Sequence, residues 1–167
     1  QQEATAEALL SRMDQKVNIC LLHHHPLEHQ MRHFLQDGYG SMRRGGDLID
    51  LLTRHPRAGR WLVIHGHKHI PQLVNATAAS SNGPSILCAA SLGGQLWPPI
   101  STTASNQFHI LRAQCDSANP VNLLTGTVES YMWSAGEGWV HPPAVGGGLP
   151  PNAGFGCGQD VRIIARR

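Results

Sequence analysis

With 167 residues, 41% of them hydrophobic and only 14% charged, the chain can build one domain-sized core but has little charge to cover it. A net charge of +2, two lysines and dispersed arginines exclude the basic stripe by which proteins grip nucleic-acid phosphates. No run of about 18 apolar residues spells a membrane span and no signal-peptide pattern opens the chain, so a cytoplasmic location is the default expectation.

Taken in chain order, Gln2 to Met13 has helix-forming composition and leads into Val17 to Leu22, a continuous apolar run of strand type. That run ends in His23-His24-His25-Pro26, and the proline stops the strand. Leu27 to Gln36 predicts a short helix with Met31 and Phe34 on one face, closed by Asp37-Gly38. A loop over Gly40 to Gly46 contains Arg43-Arg44, the densest basic point, readable as a solvated loop or as a contact to a substrate phosphate. Next comes a helix with Asp47 as its N-cap, Asp50 in its first turn and Leu48, Leu51 and Leu52 facing the core, ended at His55-Pro56.

Trp61 to Ile64 reads as a short buried strand that delivers His65-Gly66-His67-Lys68-His69 to one loop. Gly66 permits a close turn, and imidazoles one residue apart on a strand-end loop suit a metal ion, being neutral over most of the physiological range. Beyond His69 the pattern turns to β: Ser85 to Ala90, Gln107 to Arg112, Val121 to Glu129 and Val161 to Ala165 are candidate strands between Gly, Pro, Ser and Asn clusters. Gly136 to Gly158, rich in Gly and Pro, reads as an irregular tail or surface loop. The cysteines, Cys20, Cys88, Cys115 and Cys157, show no Cys-x-x-Cys pair and are expected to be free thiols.

The fold class expected from this order is α/β, in which ligands collect at the carboxyl ends of the strands. Two strands that each end in histidine fit such a site. A strand closing in His-His-Pro, an amphipathic helix and a strand closing in Gly-His-x-His together resemble the C-terminal portion of the calcineurin-like metallophosphoesterases, over roughly Val17 to Ile110. The resemblance implies a sandwich of two mixed β-sheets flanked by helices. Residues 1–112 would be the C-terminal part of the domain, and 113–167 a β-rich extension of it or a tail.

It also implies a metal-dependent phosphoric ester hydrolase, a phosphatase or phosphodiesterase, acting on a phosphate-ester small molecule through two divalent ions (Mn, Fe or Zn). Such ions stand about 3.5–4 Å apart, polarise phosphoryl oxygens and activate a water. Aligned on Pro26, the ligand from the first element is His24, and those from the second are His67 and His69. Strand alternation through the triplet would turn His24 to one side and His23 and His25 to the other. His23, His25 and His65 are then candidates for supporting hydrogen bonds, with Arg43 and Arg44 as substrate contacts. His29, His33 and His55 read as solvated, and His109 and His141 have no motif around them.

The family's Asp-x-His, Gly-Asp-x-x-Asp and Gly-Asn-His-Asp/Glu elements precede the His-His-Pro strand, whereas here 16 residues precede Val17 and contain none of them. Gly46-Asp47-Leu48-Ile49-Asp50 spells Gly-Asp-x-x-Asp on the wrong side of His24 and reads as a helix start. The chain is therefore expected to be a fragment, inactive alone, whose missing ligands lie upstream. The alternatives are a non-catalytic scaffold or regulatory domain of the same fold, and an unrelated histidine-rich metal-binding module.

Overall fold

The computed structural model describes residues 8, 18–27, 41–54, 61–67, 69–75, 83–96, 105–114, 124–143 and 149–156. Among them are eight strands and one helix, in two four-stranded sheets, an α/β arrangement. The first sheet is mixed, in the order β1-β2-β4-β3 (Asn18–Leu22, Trp61–His65, Ser85–Cys88 and Gln72–Asn75). β1, β2 and β4 run parallel, and β3 is antiparallel to β4. In the second sheet β6 (Thr125–Ser134) pairs with β5 (Gln107–Gln114), β7 (Gly138–Val140) and β8 (Asn152–Gly156), always antiparallel. The expectation of two mixed sheets is thus corrected: the second is joined by direct reversals of the chain and contains no parallel pair.

Alternation along β2 decides the layering. Trp61 and Val63 face α1 (Gly45–Arg54) and join Ile49, Leu51, Leu52 and Ile86 in one core. Leu62, on the other face, joins Leu73 and Leu87 with Leu124, Val128, Leu149, Ala153 and Phe155 of the second sheet and its flank. A strand covered on both faces reads as an unbroken apolar run, which is why Trp61 to Ile64 lacks polar alternation. Each fully buried Leu, Val or Phe contributes about 1.5–3 kcal/mol. Gly156 N also donates to Ser85 Oγ at 3.2 Å, a buried link between the sheets.

Three boundaries differ from expectation. α1 starts at Gly45, so Asp47 is not its N-cap; it lies inside the first turn, paired with Arg44, in the place where a carboxylate complements the exposed amides of a helix start. Gly136 to Gly158 is not simply irregular, for it contains β7 and β8. Glycine is tolerated there because Phe155 lies across Gly126, its register partner on β6: a Cβ on Gly126 would meet the ring at 2.6 Å. The strand expected over Val121 to Glu129 is observed as β6, which continues to Ser134. The division at residue 112 falls inside β5, all eight residues of which pair with β6.

Of the expected Gln2 to Met13 helix, Ala8 is helical and the other residues lie outside those described. The same holds for the Leu27 to Gln36 helix after its first residue, for Val161 to Ala165, and for Cys115 and Cys157. Cys20 and Cys88 are free thiols. No helix among the described residues is long and apolar enough to cross a membrane.

Candidate metal centre

Register brings the two histidine clusters together. Leu22 is the partner of His65 and Cys88 pairs with His65 from the other side, so β1, β2 and β4 end level at their carboxyl ends. Whatever follows each strand lies along one edge of the sheet: His23 to Pro26 after β1, Gly66 to His69 after β2, and Ala89 to Gly94 after β4.

His23, His24 and His67 meet there. One ring nitrogen from each lies within 4.8 Å of the other two, and the ring centroids form a near-equilateral triangle of 4.6, 5.1 and 4.8 Å. The alternation expected through the triplet does not apply, because β1 ends at Leu22 and His23 and His24 form a bend. A bend releases consecutive side chains from opposite faces, so both rings reach the same opening. His67 adopts φ +72° and His69 φ +59°, the left-handed region that costs residues other than glycine about 1–2 kcal/mol. The turn after β2 is therefore held in a strained conformation by its surroundings.

His25 has another part. It is buried, forms an isolated parallel bridge with Ser41, and accepts the Met42 amide on its carbonyl at 3.0 Å. Pro26 next to it is covered by the start of α1: a Cβ on Gly45 would stand 1.8 Å from the Pro26 carbonyl oxygen. The loop carrying His23 and His24 is thus anchored at its far end. The same strip brings the Met42 to Arg44 turn beside His25, with Arg43 exposed and Arg44 paired to Asp47.

His65 is buried at the end of β2, where Nδ1 donates to the Gly66 carbonyl at 3.1 Å. Burial holds its pKa below the ordinary histidine range, against the raising effect of that hydrogen bond. For His67 desolvation lowers the pKa as well, and the neighbouring His24, His23 and His69 lower it further. A depressed pKa keeps the ring neutral with a lone pair to give, the form a metal ion needs.

His69 stands apart from the group of three. Its Cε1 lies 3.4 Å from the point that a Gly94 Cβ would occupy, in the turn where the Gly94 amide donates to Ser91 Oγ at 2.8 Å. The Asn106 amide, oriented to suit its neighbours, donates to the carbonyls of Gly94 and Ser91. Sequence reasoning missed this turn: only the level ending of β4 beside β2 marks it as part of the same edge.

The donor chemistry fits a divalent transition ion. Three neutral imidazoles suit zinc, copper, nickel or iron-type cations. No carboxylate among the described residues joins them. Asp47 and Asp50 are exposed on α1, consistent with a helix start and not a ligand motif. Comparison of the chain with protein-family models, with curated proteins and with solved structures gives no match.

Proposed function

We propose that the chain is part of a calcineurin-like metallophosphoesterase, with its two sheets forming a sandwich of that type, and that the complete protein hydrolyses a phosphate ester of a small molecule. The observation that carries the reading is the convergence of histidines from the His-His-Pro and Gly-His-x-His elements at the carboxyl ends of adjacent parallel strands. Ligands of open α/β sheets collect at that edge. In this reading His24, His67 and His69 serve two divalent ions, Mn, Fe or Zn, with the carboxylate ligands supplied from outside the histidine group. Bound there, the ions would polarise the phosphoryl group and supply an activated water. The chain's own residues give the ions their nitrogen donors, hold the loops through the His25–Ser41 bridge, and offer Arg43 as an exposed cation for a phosphate oxygen.

A non-catalytic domain of the same fold is the second reading, favoured by the lack of a carboxylate in the group among the described residues. Turnover separates them. In the complete protein, His67→Ala or His69→Ala should lower the rate on an aryl phosphate monoester or diester by orders of magnitude, with the fold retained. Unchanged rates in folded variants of unchanged metal content would remove the hydrolase assignment. The 167-residue chain by itself should hydrolyse neither ester.

A further inference from the structure

We infer that this chain alone holds one zinc-class ion on His23, His24 and His67, with His23 as a ligand and His69 excluded from that ion. The inference stands whether or not the hydrolase reading holds, because it uses only the geometry of the three rings.

Zinc takes imidazole nitrogens at about 2.0–2.1 Å, and tetrahedral geometry then sets neighbouring nitrogens about 3.4 Å apart. The three donor atoms, within 4.8 Å of one another, need to close by at most about 1.4 Å. Side-chain rotation suffices for that, since the rings are open to solvent and no packed neighbour has to yield.

The backbone explains why these three and no others. The bend after Leu22 turns His23 and His24 to one opening, while His25 is drawn inward by its bridge to Ser41 and is buried. On the facing loop Gly66 follows a ring committed to the Gly66 carbonyl, and the left-handed backbone of His67 aims its ring between the other two. His69 is turned toward the Ser91–Gly94 side of the edge.

Three imidazoles leave a fourth position of a tetrahedral ion open to water or an exchangeable anion. With nitrogen donors only, the site favours Zn2+, Cu2+, Ni2+ or Co2+ over Mg2+, which takes oxygen ligands and dehydrates reluctantly.

The test is titration of the 167-residue chain with Zn2+, read by calorimetry and by NMR of the histidine rings. One ion should bind per chain, excess Mg2+ should not displace it, and the ring signals of His23, His24 and His67 should shift while that of His69 does not. His23→Ala, His24→Ala and His67→Ala should each weaken binding at least about tenfold, the loss that even an outer-sphere change can cause, with His69→Ala within about twofold of the unaltered chain. The NMR readout on the unaltered chain keeps the inference testable if a variant fails to fold. Loss of binding on His69→Ala with His23→Ala unaffected, or a shift of the His69 ring in place of His23, would overturn it. Zinc binding as described together with an inactive complete protein would support it and remove only the phosphoesterase reading.

Discussion

At the first turn of α1, a methyl group on residue 45 would stand 1.8 Å from the Pro26 carbonyl oxygen and 2.8 Å from its Cα. Alanine in place of glycine inside a helix ordinarily stabilises by about 0.5–1 kcal/mol. Here the sign should reverse. Backbone cannot yield as a flexible side chain does, so Gly45→Ala should cost about 1–3 kcal/mol, the usual range for overpacking, seen as a lower urea midpoint. Because Pro26 ends the loop that carries His23 and His24, the same variant should also weaken Zn2+ binding. A gain in stability would show that α1 does not rest on Pro26. The sequence marks a helix start at Gly46-Asp47, but nothing in it places that start against a proline 19 positions earlier in the chain.

Among the elements, β8 is the one whose composition misleads most. Asn152-Ala153-Gly154-Phe155-Gly156 looks like loop, and a strand is expected of β-branched and aromatic residues. β8 is held by its partner: five residues pair with β6, Ala153 and Phe155 are buried, and the Phe155 ring fills the space left by Gly126. Phe155→Ala should therefore cost about 3–5 kcal/mol, as large-to-small changes of buried aromatics do. Thermal or chemical unfolding measures it, and a loss below about 1 kcal/mol would mean that the two sheets do not share this core. β1, β2 and β4 were legible because each is a run of apolar residues closed by Pro, Gly or Ser. The extension of β6 to Ser134 was not, since its last residues owe their strand conformation to β5 and β7.

For the whole molecule, stability should depend on pH through histidines kept neutral by folding. His109, far from the metal edge, faces Ser130 with Nδ1 and Oγ 3.0 Å apart, and burial holds its pKa below the ordinary value. The unfolded chain takes up a proton near pH 6.5; the folded chain does so only at lower pH. The unfolded state then binds more protons, so the stability present above about pH 6.5 falls as pH drops through the depressed pKa of the folded state. Urea midpoints at pH 7.5 and 5.5 should show this loss, and His109→Gln should lose less. An equal loss in both would mean that His109 takes no part. Glu129 is held below the usual carboxylate range by Arg112 and then by Tyr131, so its contribution is lost only at more acid pH.

By itself the sequence determined the α/β class, the two histidine-bearing strand ends and the core face of α1, because periodicity and strand-end punctuation are local. Val17 to Leu22 and Trp61 to Ile64 can each be read without reference to any other segment. Tertiary structure decided which histidines meet. The level ending of β1 and β2, with Leu22 opposite His65, is a property of the pair and of neither strand. The bend that puts His23 beside His24, and the Ser91–Gly94 turn that receives His69, depend on contacts from residues 20 to 70 positions away: Ser41 on His25 and Asn106 on Ser91 and Gly94. Imidazoles announce metal chemistry in any order, but the choice of ligands follows from where the backbone lets each ring point.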